Sequence, residues 1–180
     1  QYFNPDLLGV FINPTYLVRR ALIQSIATQA DHVTGRVLDI GCGSKPYKSL
    51  FKNVTEYVGM EYDTPENRKR NNVDVFYDGD TFPFPDNSFD SILATEVLEH
   101  VFNPDVFLSE VHRVLKKKTG ILFLSCPLMW MEHQQPYDYG RYTSFGIVHI
   151  LKKQAFEILW QGQTVSGAAA IFQLIASYLR

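Results

Sequence analysis

Short apolar runs that end close to a glycine or a carboxylate recur along this chain and alternate with stretches of helical periodicity. Such runs are typical of strands buried on both faces of a sheet, and strands that alternate with helices favour parallel pairing. The predicted fold class is therefore α/β, a doubly wound, mainly parallel sheet flanked by helices. The predicted strands are VLDI (37–40), EYVGM (56–60), VDVFYD (73–78), FDSILAT (89–95), ILFLSCP (121–127) and AFEILWQGQ (155–163).

The segments between these runs predict the helices. Apolar residues at helical spacing predict an amphipathic helix from Pro104, and prolines at 14 and 104 suit the first turn of a helix. Lys116 to Lys118 lie at the C-terminus of the helix that begins at Pro104, where cations oppose the helix dipole. The predicted helices are 14–30, 104–117, 143–154 and 166–179, and segment 46–53 is compatible with a short helix.

Length, charge and cysteine use narrow the class of protein. The 180 residues, 46% of them hydrophobic, suffice for one domain with a sizeable core. A formal net charge of −2 supplies no global basic field, so we expect no nucleic-acid partner. Cys42 and Cys126 lie far apart without a CxxC pattern, which favours a reduced protein. With no signal-peptide pattern and no transmembrane segment in the sequence, we expect a cytoplasmic protein.

Glycines and carboxylates at the strand ends predict a nucleotide-type site, because ligands of such sheets bind beyond the carboxyl ends of the strands. Gly41 and Gly43 follow the first strand, and Glu61 follows about 20 residues after Gly41, where a carboxylate grips ribose hydroxyls. A plain turn and a solvated loop carboxylate are the alternative interpretations. Asp39 and Pro46 disfavour the pyrophosphate of NAD and favour a cationic ligand such as S-adenosylmethionine.

Two further strand ends extend this predicted site. Asp78 and Gly79 follow the third strand, where a carboxylate and a backbone N–H could meet an adenine, although an Asx-type turn explains the same residues. Glu96 follows the fourth strand and would line the other end of the ligand.

The combination of motifs resembles the class I S-adenosylmethionine-dependent methyltransferases of the methyltransferase type 11, UbiE-like superfamily. The motifs are DIGCG, VGME, DGDTFPFPDNSFD, TEVLEHVFNP and EVHRVLKKKTGILFLSCP, within residues 35–127. The resemblance implies a Rossmann-like fold and S-adenosyl-L-methionine as cofactor, with S-adenosyl-L-homocysteine as product. It implies cofactor roles for Asp39, Gly41, Gly43, Glu61, Asp78, Gly79 and Glu96.

The chain also departs from that family pattern. Lys45 stands where many relatives have a third glycine, so we expect the loop path to differ there. The usual seventh, antiparallel strand is not recognisable after the last helix, as in a C-terminally truncated piece. We expect a single methyltransferase domain over 1–180, made of an N-terminal helical cap (1–34), a cofactor-binding core (35–127) and substrate-side elements (128–180).

The loop after the fifth strand concentrates aromatic and charged residues, and loops that follow rigid strands often contact substrates. Its H-x-x-PYDY-x-RYT run resembles methyltransferases of bacterial surface-glycan and small-molecule pathways. Packing that caps the cleft is the alternative. His100 and His133 are the candidate general bases, because imidazole titrates near neutrality. The substrate-side candidates are Trp130, Tyr137, Tyr139, Arg141 and Tyr142.

The function hypothesis is methyl transfer by SN2 displacement to a small-molecule or glycan-precursor acceptor. The alternative is a non-catalytic S-adenosylmethionine-binding or partner-binding protein on the same fold, since a fold does not fix an activity. No metal is expected, because no cluster has convincing ligand spacing along the chain. The apolar C-terminal helix leaves a homodimer open.

Overall fold

A computed structural model describes residues 15–178, so the parts of the predictions that fall on 1–14 and 179–180 lie outside the described residues. The strands are β1 (Gly35–Ile40), β2 (Val54–Tyr62), β3 (Val75–Tyr77), β4 (Ser91–Thr95) and β5 (Ile121–Ser125). The helices are α1 (Tyr16–Gln29), α2 (Pro104–Val114), α3 (Ser144–Lys153) and α4 (Gly167–Tyr178).

The five strands form one parallel sheet in the order β3-β2-β1-β4-β5. The chain runs outward from β1 through β2 to β3, then returns to the other side of β1 for β4 and β5. This reversal makes the crevice between β1 and β4 the topological switch point, where ligands of open α/β sheets bind. The α/β fold with a doubly wound parallel sheet is confirmed.

Helices cover both faces of the sheet, which explains why its strands read as continuous apolar runs. On one face α2 and α3 pack against Leu38, Ile40 and Ile92 with their residues Phe107, Leu108 and Leu151. On the other face α1 packs through Leu22 and Ile26 against Val37, Tyr57 and Leu93.

Local capping fixes where two of these helices begin. The Asn103 side chain accepts a hydrogen bond of 3.3 Å from the Val106 N–H, with Pro104 in the first turn of α2. The Thr143 hydroxyl likewise accepts from the Gly146 N–H at 3.1 Å at the start of α3. These bonds satisfy N–H groups that have no partner inside the helix.

The predicted strand at 155–163 is wrong. This segment forms no strand: Phe156 and Ile158 pack on the core by their side chains, and β5 pairs only with β4 among the described residues. Segment 46–53, compatible with a short helix, contains a 3₁₀ helix at Lys48–Leu50. Within residues 15–178, no helix has the length and apolar character needed to cross a bilayer.

The packing of α2 gives a stability prediction. Leu108→Ala should lower the free energy of unfolding by about 2–5 kcal/mol, because Leu108 is fully buried and its truncation leaves a cavity. Urea unfolding followed by circular dichroism measures this change. Val106→Ala on the same helix is the control: Val106 is 41% exposed, so its change should stay within about 0.5 kcal/mol. Equal losses in both variants would contradict the described packing.

Candidate active site

The carboxyl ends of the strands open onto one cleft. Residues predicted from separate parts of the sequence meet there, because parallel strands end at the same edge of the sheet. The cleft is lined by Asp39, Gly41, Gly43, Glu61, Asp78, Gly79 and Glu96, together with His100, Trp130, His133, Tyr137, Tyr139 and Tyr142. Arg141 is the predicted site residue that does not line it.

The loop after β1 needs its glycines for specific reasons. Gly41 has a φ of +66°, and a Cβ there would come within 2.6 Å of the Val97 side chain in the loop after β4. Gly43 has a φ of +52°, and the atom nearest to an added Cβ would be Arg70 Nη1 at 3.8 Å. Gly41 therefore permits close approach of the two loops, while Gly43 is needed for its left-handed backbone, since a Cβ there would make only an ordinary contact with Arg70.

Lys45 closes this loop on its outer side. Its backbone is left-handed, with a φ of +56°, and its ammonium group pairs with Asp74. The Asp74 carboxylate also accepts the Gly59 N–H at 2.6 Å. Lys45 therefore joins this loop to the segment before β3 by an ion pair.

Glu61 joins three segments of the site. It is 7% exposed, and its Oε1 accepts from the Gly43 N–H at 2.7 Å and from Arg70 Nη1 at 2.9 Å. Its Oε2 accepts from Asn67 Nδ2 at 3.3 Å. The solvated-carboxylate interpretation of Glu61 is therefore wrong, because the side chain is buried and bonded.

Asp39 lies beneath the same loop. It is 2% exposed, and its Oδ2 accepts a hydrogen bond of 2.7 Å from the Tyr57 hydroxyl. Burial raises the pKa of Asp39 to about 7, opposed by the Tyr57 hydrogen bond and assisted by the charge of Glu61. Asp39 therefore gains and loses its charge near neutral pH.

Asp78 and Gly79 form the turn after β3. Asp78 Oδ1 accepts from the N–H groups of Asp80 at 3.1 Å and Thr81 at 3.4 Å, as the Asx-turn interpretation predicted. These backbone bonds lower the pKa of Asp78. Gly79 has a φ of +101°, and a Cβ there would come within 2.9 Å of the Tyr62 ring.

Glu96, which is partly buried, and Glu99, which is fully buried, are the acids that follow β4. Glu96 is left-handed at a φ of +56° and accepts from the Ser125 hydroxyl at 2.8 Å, and burial raises its pKa. Glu99 is fully buried, and its pKa is raised to about 8 by burial and then by the charge of Glu96.

The loop after β5 brings His133 to His100, with ring centroids 4.7 Å apart. Arg141 fixes this loop by donating to both carboxylate oxygens of Asp138, at 2.5 and 2.8 Å, and to the Met131 carbonyl at 3.1 Å. The guanidinium of Arg141 therefore holds the loop in place from behind the cleft.

Several residues of the cleft went unrecognised in the sequence. Arg70 and Asn67 contact Glu61, and Tyr62 packs edge-on against Tyr77 and Tyr137, with centroids 6.1 and 5.8 Å apart. Arg70 could have been predicted as a partner of Glu61, because it is a basic residue that follows the acidic end of β2 closely in the sequence. The tyrosine contacts carry no signal in the local sequence.

Comparisons with known proteins agree with this geometry. Residues 38–124 match the family model described as a methyltransferase domain, type 11. The chain is 29% identical over 104 residues to the ubiquinone/menaquinone biosynthesis C-methyltransferase UbiE of Cupriavidus pinatubonensis, covering 57% of this chain and 37% of that protein. It is 36% identical over 128 residues to the fatty-acid O-methyltransferase of Mycolicibacterium smegmatis, covering 64% and 47% respectively. The match therefore spans less than half the length of either relative.

A solved structure shares the fold. It is a SAM-dependent methyltransferase from Thermotoga maritima, described as a possible histamine N-methyltransferase. The TM-score is 0.61 at 20% identity, and the match covers 84% of this chain and 78% of that one. At this identity the likeness concerns the fold alone.

The burial of Asp39 generates a pH prediction. Because its pKa is raised to about 7, the folded state holds a proton that the unfolded chain releases near pH 4, so its contribution to stability falls as the pH rises from about 4 to 7. Asp39→Asn should remove that part of the slope. The measurement is the free energy of unfolding of both proteins across this pH range.

Asp90→Asn is the control for this prediction. Asp90 has a lowered pKa through Lys116, so its contribution is lost only as the pH falls below the ordinary range of a carboxyl. Its difference from wild type should stay flat between pH 5 and 7. A flat difference for Asp39→Asn as well would contradict the raised pKa.

Proposed function

We propose that the chain is a class I S-adenosylmethionine-dependent methyltransferase, which transfers a methyl group from S-adenosylmethionine to a small-molecule acceptor. The observation that carries this proposal is the buried Glu61 carboxylate, bonded to the Gly43 N–H at 2.7 Å beside the switch point of the sheet. A carboxylate at this place is suited to ribose hydroxyls.

The residues present fit the proposed cofactor. Four acidic side chains line the cleft, and those that are ionised favour the sulfonium and α-ammonium of S-adenosylmethionine by electrostatic attraction. They are Asp39, Glu61, Asp78 and Glu96. Gly43 has no Cβ, which lets a ligand approach the backbone closely.

Each residue has a proposed role in holding the cofactor. A carboxylate has about four acceptor positions, and Glu61 fills three of them with Gly43, Arg70 and Asn67, so one is left for a ribose hydroxyl. Asp78 and Gly79 would lie at the adenine, with the Tyr62 ring beside Gly79. Asp39 and Glu96 would lie at the methionine end of the cofactor. All of these residues fall within the proposed cofactor-binding core, 35–127.

The acceptor is proposed to enter from the loop at 128–142. Its aromatic side chains line the same cleft, and Tyr137 contacts Tyr62. The two relatives are named for methylation of a quinone precursor and of a fatty acid, which supports a small-molecule acceptor. A glycan precursor fits the polar and aromatic loop as well.

Bound S-adenosylmethionine supplies an electrophilic methyl group, and the protein's part is to align the acceptor with it. Alignment and exclusion of water supply much of the acceleration in such a displacement. The rings of His100 and His133 lie together at the acceptor end of the cleft. If the acceptor must lose a proton, His100 or His133 would act as the general base.

Calorimetric titration tests the cofactor. We expect S-adenosylmethionine and S-adenosylhomocysteine to bind and NAD⁺ not to bind. Glu61→Ala should weaken S-adenosylmethionine binding by about tenfold or more, because a hydrogen bond to a charged group contributes about 1.5–3 kcal/mol. Glu56→Ala is the matched control: Glu56 lies on the same strand but pairs with Arg36 away from the cleft.

Two results would contradict the proposed cofactor. One is binding of NAD⁺ without either S-adenosyl compound. The other is an unchanged affinity in Glu61→Ala, which would remove Glu61 from the site.

A panel of acceptors separates an enzyme from a binding protein. The protein would be incubated with methyl-labelled S-adenosylmethionine and quinols, fatty acids or sugar nucleotides, and products would be identified by mass spectrometry. Labelled product with one class identifies the acceptor. Cofactor binding without any product across the panel would favour the non-catalytic alternative.

A further inference from the structure

Three side chains at the acceptor end of the cleft converge in a way that methyl-donor binding does not explain. Glu99 and His100 lie in a 3₁₀ turn after β4, and His133 lies in the loop after β5. One ligand atom from each lies within 4.8 Å of the other two. We call these three residues the Glu–His–His cluster.

The Glu99 carboxyl group is buried without a hydrogen bond. Its side chain is fully buried, and within residues 15–178 neither Oε1 nor Oε2 has a hydrogen-bond partner. Burying a carboxylate without a partner is costly, so such groups are normally paired or bound to a cation. The guanidinium of Arg141 is already bidentate on Asp138.

His100 presents a lone pair to the same space. Its Nδ1 lies 2.5 Å from the Tyr137 carbonyl, which can only accept, so Nδ1 holds the proton and Nε2 the lone pair. Nε2 is buried and has no hydrogen-bond partner in the part of the chain that the structure describes. It lies 3.8 Å from Glu99 Oε1, which is too far for a hydrogen bond but within the span of two ligands on one cation.

His133 is oriented in a similar way. Its Nδ1 lies 3.2 Å from the Met131 carbonyl and 3.3 Å from Asp138 Oδ2, and both are acceptors. The proton on Nδ1 leaves the lone pair on Nε2. A ring nitrogen held by a carbonyl or a carboxylate is the usual arrangement of a metal-ligating histidine, since it fixes both tautomer and orientation.

We propose that the Glu–His–His cluster binds one first-row divalent cation such as Mn²⁺, Fe²⁺ or Zn²⁺. Two imidazole nitrogens and one carboxylate oxygen suit this class of ion better than Mg²⁺, which prefers oxygen ligands. Ligand atoms about 2.0–2.2 Å from one cation lie at most about 4.4 Å apart, so small side-chain rotations complete the site.

His100 and His133 both line the cleft, so a cation held by the cluster would lie beside the space where the acceptor is proposed to enter. The cation would take oxygen atoms of the acceptor as further ligands, such as a hydroxyl with a neighbouring hydroxyl or carbonyl. This role rests on the proposed methyl transfer, whereas the cation site itself rests on the geometry of the cluster alone. The cluster would then orient an oxygen-bearing acceptor, and a free imidazole base would not be needed.

Titration with Mn²⁺ tests the cation site. The chain, freed of any affinity tag and stripped with EDTA, is titrated while electron paramagnetic resonance measures free Mn²⁺. We expect one Mn²⁺ per chain, with affinity at least tenfold weaker in Glu99→Gln and in His133→Ala. Circular dichroism checks that both variants are folded. His133 is a partly exposed loop residue, so His133→Ala still tests the cation site if the Glu99 variant misfolds.

His149→Ala is the matched control, since His149 is an exposed histidine on α3 outside the cluster, and it should bind Mn²⁺ like the wild type. Absence of stoichiometric binding, or binding unchanged in both cluster variants, would overturn the proposal. Calorimetry of S-adenosylmethionine in EDTA separates the two proposals. Cofactor binding without Mn²⁺ binding defeats only the cation site, and Mn²⁺ binding without cofactor binding defeats only the proposed function.

Discussion

The hydrogen bond from the Gly43 N–H to the Glu61 carboxylate fixes the geometry on which the cleft depends. It ties the loop after β1 to the end of β2, and Arg70 and Asn67 add the following segment to the same carboxylate. A buried carboxylate forms strong hydrogen bonds with such donors, so the three segments hold one another in place. The floor of the proposed cofactor site is therefore set by one side chain.

The sheet and its helices could be predicted largely from the sequence, because their signals are local. β1, β4 and β5 are nearly continuous apolar runs, and α2 carries a regular apolar face with a cap at Asn103. The predicted strand at 155–163 is wrong because a strand must form hydrogen bonds with a neighbouring strand. That pairing depends on segments that are distant in the sequence. An apolar run that packs by side chains alone has the same local pattern.

The site divides in a similar way. The carboxylates at the strand ends could be predicted, since parallel topology brings these ends to one edge. The meeting of His100 with His133 could not, because it depends on how the loop after β5 folds back, and Arg141 and Asp138 set that path. Arg141 was predicted at the substrate, but its donors are directed to the loop itself.

The passage of the Lys45 side chain over Gly59 makes these two positions interdependent. A Cβ at 59 would lie 2.3 Å from Lys45 Cε and 2.7 Å from the Cys42 sulfur, so alanine there would push away the side chain that pairs with Asp74. Effects of substitutions at 45 and 59 will consequently not add. A homologous chain with a larger residue at 59 should have a shorter side chain at 45, so the two positions should vary together during evolution.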